Sequence, residues 1–297
     1  MPSYVPWRSS SACGYHIIDC SGNPARSHKY HMIGVAVDHA ITQGYDHAVA
    51  GTCGALGLSL ALVAQPKGMR VTACIPEPYS DDRVNALSAC GAEVIRCGKT
   101  YEDAVDEAAS LAARHGWADF NPDGPFNELL VAGWAAYVIG EVTRLSDSGA
   151  DPEGIERLWV PAGNGASALG VVTALGKLGI GAPVVGVTSA GNNALVESCA
   201  AGRVVTLAPG SLNETPINEP LCNWRPSHAA ELCALPESVF SVIGVRDCEL
   251  TGAAEELSAA LGFHVTPAGA SGLAGLMRGE YRDSPGNVVV VTGRSEF

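Results

Sequence analysis

The sequence predicts an α/β fold built on mostly parallel sheets, and three observations carry that prediction. Short β-branched runs alternate with Ala- and Leu-rich stretches of helical period. Runs such as Val288 to Val291 are apolar on both faces, as a strand covered by helices on each side must be. Glycines tend to fall just after strands and just before helices, where open parallel sheets form their ligand crevices.

Short apolar runs bounded by turn residues place strands at 15–20, 46–51, 70–76, 93–97, 157–161, 183–189, 238–245 and 287–291. Helices are expected between them, among them 28–43, 54–65, 101–114, 165–178, 249–261 and 268–280. Residues 206–228, rich in Pro, Asn and Ser, read as a loop or active-site cover. No repeat or low-complexity tract interrupts the series.

Composition narrows the function classes. A chain of 297 residues with 47% hydrophobic content forms a real core and is not disordered. Its net charge of −13 argues against nucleic acid or an anionic membrane surface as partner. No window approaches the ~18 uninterrupted apolar residues of a membrane span, and the N-terminus lacks the order of a signal peptide. The ten cysteines are scattered without a CxxC pair. That usage points to reduced, small-hydrophobe cysteines in a cytoplasmic protein, with neither a disulfide frame nor a bound metal.

Only four lysines are present. Lys67 and Lys99 sit in Gly-containing turns, and Lys177 lies near a helix C-terminus, where a cation is favoured. Lys29 differs, because it stands in the first turn of an expected helix, where the dipole disfavours positive charge. Ser27 is placed to cap that helix. A lysine that must lose its proton to attack an aldehyde has a reason to stand there; the plain alternative is a solvated lysine.

Two strand-to-helix turns and one strand end complete the candidates. The turn at Gly163, Asn164 and Gly165, followed by Ala166 and Ser167, offers successive N–H groups and a helix dipole to a phosphate monoester. It lacks the Gly-Lys-Ser/Thr ending of a nucleoside triphosphate loop and the spacing of a dinucleotide fingerprint. An ordinary strand-to-helix turn remains the alternative. The turn at Thr52, Cys53 and Gly54 could receive a carboxylate, or could be a capped helix start packed through glycines. Thr292 is the first polar side chain after four buried valines, and a neutral hydroxyl there would leave a facing pyridine nitrogen unprotonated.

In this order the segments resemble the fold type II pyridoxal-phosphate (PLP) enzymes, the tryptophan synthase β-subunit superfamily, and within it most of all the threonine synthases. The stretch from Gly22 through Asn23 and Pro24 to Lys29 is similar to the family's lysine segment. Residues 52–57 are similar to its substrate-carboxylate loop, and 160–165 to its phosphate loop. Residues 218–224 are similar to a segment of threonine synthases, and 266–271 to the helix start before the final strand. The resemblance implies two open, mostly parallel twisted sheets flanked by helices, with the cofactor in an interdomain cleft. It implies a large PLP domain at 1–42 plus 136–297, a smaller mobile domain at 43–135, and a homodimer. It makes Lys29 the Schiff-base lysine that also moves the α-proton, and it puts Gly163, Asn164, Gly165, Ala166 and Ser167 on the cofactor phosphate. Thr292 falls on the pyridine nitrogen, and Thr52, Cys53 and Gly54 on the amino-acid substrate.

Departures from that pattern bear on the activity. Ala55 stands where the family carries an asparagine beside the cofactor's 3′-oxygen. Asn127 stands where threonine synthases carry an arginine for the substrate phosphate, and a neutral amide is a poor substitute for a bidentate guanidinium. His28 and His31 flank the lysine as proton carriers or as packing residues. The leading expectation is β- or γ-elimination or replacement on an amino acid with a leaving group, such as O-phosphohomoserine or O-phosphoserine. The alternatives are a serine/threonine dehydratase and a PLP-binding protein without turnover.

Overall fold

In a computed structural model of the chain, the described residues are 7–10, 14–147, 154–191, 193–208, 211–278, 284 and 286–295. Contacts divide the chain into two compact units, Asn23–Trp134 and the remainder. The boundary read from sequence at 42/43 lies further along, because the first helix, α1 (Lys29–Thr42), packs on α2 (Ala55–Ala64) and so groups with the smaller unit.

The smaller unit is a four-stranded parallel sheet. Its strands are β3 (His47–Gly51), β4 (Arg70–Ile75), β5 (Glu93–Arg96) and β6 (Ala118–Asp119), in the order β5-β4-β3-β6. Every residue of β3 is buried, which explains its near-continuous small apolar sequence. Helix α3 (Asp81–Ala89) follows β4, and α4 (Tyr101–His115) packs on β3 through Ala104, Ala108, Leu111 and Ala112. A capping box between Thr100 and Asp103 starts α4. Helix α5 (Asn127–Asp147) begins in this unit and runs past its boundary.

The larger unit carries six strands in the order β1-β2-β10-β7-β8-β9. These are β1 (Trp7–Ser10), β2 (Tyr15–Asp19), β7 (Arg157–Pro161), β8 (Val184–Ser189), β9 (Phe240–Val245) and β10 (Asn287–Val291). All pairings are parallel except that of the edge strand β1 with β2. Helices α6 (Ala166–Leu178), α7 (Ala194–Ala201), α8 (Ala229–Cys233), α9 (Asp247–Leu261) and α10 (Ser271–Arg278) accompany the sheet. The helix expected at 268–280 divides into a 3-10 turn, Ala268–Ala270, and α10; positions 279–280 lie outside the described residues.

The fold is therefore the expected α/β architecture of two mostly parallel, helix-flanked sheets. One expectation about cysteine fails. Cys199 and Cys233 form a disulfide, with their Cα atoms 4.6 Å apart, within the range such a bond needs. They stand on α7 and α8, which pack together, so tertiary packing rather than sequence spacing pairs them. The stretch expected as a loop at 206–228 (209–210 lie outside the described residues) is irregular but not open. It contains a 3-10 turn, Glu219–Leu221, and buries Asn218, Leu221 and Asn223.

Candidate active site

Each sheet reverses its strand order at one point. In the larger unit β7 leads to β8 and β9 on one side while β10 lies on the other. In the smaller, β3 leads to β4 and β5 while β6 lies opposite. Crevices for ligands open at such switch points, beyond the strands' carboxyl ends. The turns after β7, β10 and β3 hold the residues expected at positions 163–167, 292 and 52–54.

In the larger unit, the chain leaves β7 through Ala162, whose N–H donates to Val187 O at 2.9 Å. Gly165 has φ +98, open to glycine at no steric cost, and a Cβ there would stand 2.8 Å from Leu232 Cδ1 and 3.0 Å from His228 Cβ. A Cβ on Gly163 would stand 2.4 Å from the carbonyl oxygen of Pro220. Asn164 braces the turn from both ends: its Oδ1 accepts the Ala166 N–H at 3.1 Å, and its carbonyl accepts the His228 N–H at 3.1 Å. Among the described residues, no hydrogen bond within the chain uses the N–H groups of Gly163, Asn164 or Gly165. Three such donors in succession at the start of α6 form an anion cradle. Ser167 is buried, and its hydroxyl donates to Pro161 O.

Thr292 directly follows β10 and is buried, with its N–H donating to Gly269 O at 3.3 Å. The residue before it, Val291, accepts the Cys20 N–H at 2.9 Å. Burial, with the Asp19 and Glu141 carboxylates adding to it, pushes the Cys20 thiol well above its usual pKa, which makes it a packing residue rather than a nucleophile.

In the smaller unit, Lys29 is half-buried at the first position of α1. The N-cap position is His28 rather than the expected Ser27, but Ser27 Oγ still accepts the Lys29 N–H at 3.3 Å. His28 turns toward the buried Trp134, with ring centroids 5.2 Å apart. At the turn after β3, Thr52 is fully buried, and its Oγ1 accepts the N–H groups of Gly54 (2.9 Å) and Gly57 (3.0 Å). The capped-helix reading of this turn is thus satisfied by Thr52. The N–H groups of Ala55 and Leu56 have no acceptor within the described chain. Cys53 Sγ lies 3.4 Å from Tyr79 Oη, Gly54 holds φ +126, and Asn127 opens α5 with its N–H on Gly124 O at 3.1 Å.

Several supporting residues escape sequence reasoning. Pro220, His228 and Leu232 shape the 163–165 turn. The Leu221 carbonyl is held by Thr188 Oγ1 (3.0 Å) and Asn193 Nδ2 (2.6 Å). In the smaller unit the buried Asn121 accepts the Gly51 N–H at 2.8 Å and donates to Val105 O at 3.1 Å, fixing the end of β3 against α4. Similarity to a threonine-synthase segment marks 218–224 in the sequence, but nothing there shows that it packs on Gly163.

An α/β body with three open N–H donors at its sheet's switch point has a turn suited to an anion, which by itself defines no more than a class of α/β proteins. Comparison with known proteins makes the class specific. The chain belongs to the family described as pyridoxal-phosphate dependent enzyme, which it matches over residues 9–293; membership implies PLP as the cofactor. A rat protein named serine dehydratase-like is 33% identical over 184 residues, 62% of this chain and 54% of the rat protein. The human protein of that name is 26% identical over 284 residues, 95% of this chain and 82% of the human one. The chain thus spans about half of the rat relative's length in that match. Among solved structures, a fungal L-serine ammonia-lyase from Rhizomucor miehei shares the fold at a TM-score of 0.83 and 20% identity, over 98% of this chain and 94% of that one. These relatives accord with the fold type II resemblance, but they do not carry the threonine-synthase likeness within it. No helix of the described residues is long and apolar enough to cross a membrane.

Proposed function

We propose that the chain is a PLP-dependent lyase that deaminates a small hydroxylated amino acid, serine or threonine, to a keto acid and ammonia. The observation that carries this reading is the row of N–H groups at Gly163, Asn164 and Gly165, at the switch point of a PLP-family sheet and with no acceptor among the described residues. The dehydratase direction is supported by the names of the rat and human relatives. Asn127 supports it too, since an uncharged amide recognises a substrate phosphate poorly.

In this reading the N–H groups of residues 163–165 take the cofactor phosphate. Ala166 N–H and the Ser167 hydroxyl, engaged with Asn164 and Pro161, join only by exchanging those partners. Lys29 would hold the cofactor through its amine, and the same amine would serve as the base for the substrate's α-proton. The Thr292 hydroxyl would hold the ring nitrogen, and Ala55 would line the ring. The N–H groups of Ala55 and Leu56 would receive the substrate carboxylate, in a turn shaped by Thr52, Cys53 and Gly54, and the Asn127 amide would serve the substrate's side chain. Bound PLP supplies the electron sink for charge at the α-carbon. The homodimer belongs to the same proposal, with light scattering as its check.

A second reading, elimination with replacement on a phosphorylated amino acid, is favoured by the threonine-synthase-like sequences at 160–165 and 218–224. One experiment separates the two. Protein loaded with PLP and dialysed is given serine, threonine, O-phosphohomoserine, O-phosphoserine or O-acetylserine, with and without sulfide. Keto acid from serine or threonine supports deamination, whereas phosphate release without keto acid supports replacement. Protein that remains colourless after loading defeats both readings. A coloured protein that neither turns over nor exchanges the α-proton of any of these amino acids with solvent is a binder only.

A further inference from the structure

The loop that leads into α1 is ordered by one side chain. Asn23 Oδ1 accepts the N–H groups of Ala25 (3.1 Å) and Ser27 (3.4 Å), while its Nδ2 donates to Ser27 O (3.0 Å). These contacts fix which way the amide faces, because turning it over would set its NH2 group against two N–H donors. With that orientation settled, Nδ2 also points at His31 Nε2, 3.1 Å away. A ring nitrogen that receives an N–H must present a lone pair, so His31 is neutral and carries its proton on Nδ1. The ordering continues toward the lysine. Ser27, bound twice by Asn23, accepts the Lys29 N–H on its Oγ. His31 itself stands two residues beyond Lys29 in the same helical turn, with Tyr30 edge-on to its ring at 5.9 Å.

We propose that His31, as the neutral Nδ1–H tautomer, is a positioning residue for Lys29. It anchors the Asn23 amide from the helix side, so that the 23–27 loop and the first turn of α1 form one hydrogen-bonded unit from which the lysine amine projects. Aspartate at position 23 would present an oxygen to Nε2 and demand the opposite protonation of the ring. The proposal rests on the reading that Lys29 holds the cofactor, and it adds to that reading the residue that aims the amine.

The test has two independent readouts. The first is the tautomer of His31 in the wild-type protein, from the 15N shifts of its ring: a protonated Nδ1 and an unprotonated Nε2 are expected, and a protonated Nε2 at neutral pH overturns the proposal. The second is the rate at which Lys29 bonds added PLP, followed by visible absorption and confirmed by borohydride trapping and mass spectrometry of the Lys29 peptide. His31→Leu slows that rate about tenfold, the loss of one ordinary hydrogen bond, with the circular dichroism of the fold unchanged. His31→Gln, whose Oε1 can accept from Asn23, restores it to near the wild-type rate. A His31→Leu protein that reacts as fast as wild type, or a His31→Gln protein as slow as His31→Leu, overturns the proposal while leaving Lys29's role intact. A wild type in which Lys29 is never labelled defeats the functional reading itself.

Discussion

The turns after β3 and β7 look alike in sequence, each a buried strand running into closely spaced glycines and then a helix, yet they resolve their backbone donors differently. After β3, the buried Thr52 hydroxyl turns inward and accepts the N–H groups of Gly54 and Gly57. After β7, the Asn164 side chain caps Ala166, and three consecutive N–H groups from Gly163 to Gly165 have no acceptor among the described residues. Unmatched donors at a helix start are costly unless solvent or a ligand meets them. The first turn satisfies the donors of Gly54 and Gly57 and leaves those of Ala55 and Leu56, whereas the second leaves three in a row, the pattern that supports the proposed phosphate contact. The difference extends to what stands behind each. The β7 turn is shaped by Pro220, His228 and Leu232, all within the segment that the Cys199–Cys233 bond closes. The β3 turn is packed by α4, where a Cβ on Gly51 would stand 2.4 Å from Val105 N.

The disulfide gives the largest expected effect. Closing a loop over a sequence separation of 34 residues stabilises the fold by about 4 kcal/mol in the chain-entropy picture. Reduction with a dithiol, or Cys199→Ser, lowers the unfolding free energy in urea by up to that amount. Because the closed segment carries Pro220, His228 and Leu232, which shape the β7 turn, PLP retention is expected to fall with it, while the KM for the amino acid in protein kept saturated with PLP changes little. Equal losses at both turns would dissolve the contrast. Next comes Gly165→Ala, which combines a left-handed φ with a Cβ crowded by Leu232 and His228. Strain and overpacking of about 3 kcal/mol appear as a roughly hundredfold weaker affinity for PLP, measured by equilibrium dialysis.

The same logic applied to the β3 turn gives a smaller and different signature. Thr52→Val removes the acceptor of two N–H groups in a buried setting, at a cost of about 2 kcal/mol in stability. Thr52→Ser keeps the oxygen and most of the stability. Neither should weaken PLP retention, whereas the KM for the amino acid should rise in the valine variant. If Thr52→Val instead releases the cofactor, the two turns do not divide their tasks as described.

Legibility in the sequence followed the reach of each cue. All eight expected strands formed within two residues of their expected ends, because a sheet covered on both faces demands apolar runs that periodicity detects. The two-residue β6 and the edge strand β1 were not among them; neither is long enough to show a pattern. Helix α5 was also not picked out. Gly133 in its middle reads as a breaker, yet a Cβ there would stand 2.6 Å from Met32 O, so glycine serves close packing on α1. The turn positions themselves were visible from their glycines. Which donors each turn leaves open was not, since Thr52 and Asn164 are both capping residues and only geometry shows how many N–H groups each one takes. The disulfide and the buried brace at 218–228 depend on contacts between residues remote in sequence, which local cues do not carry.

The smallest expected effect concerns acid, and it touches one histidine in each unit. His228 is buried behind Gly165; desolvation pulls its pKa below the ordinary 6.5, against a smaller upward pull from Glu231. His47, at the opposite end of β3 from Thr52, is stacked on Trp117 at 3.8 Å and hydrogen-bonded to Thr72 at 2.8 Å; burial lowers its pKa as well. For both, the unfolded chain takes up a proton more readily than the folded one, so stability rises with pH while the unfolded form is protonated. Their contribution is complete above the unfolded value of 6.5, and it is lost as pH falls from there through the folded values. Thermal unfolding scanned downward from neutral pH should show a declining Tm that His228→Gln and His47→Gln each flatten. Only the first of these should also flatten the loss of PLP with acid, because of the two it is His228 that packs beside Gly165, in the turn proposed to take the phosphate. Cofactor release that follows His47 rather than His228 would place the acid sensitivity in the wrong unit and break the assignment of the phosphate to the β7 turn.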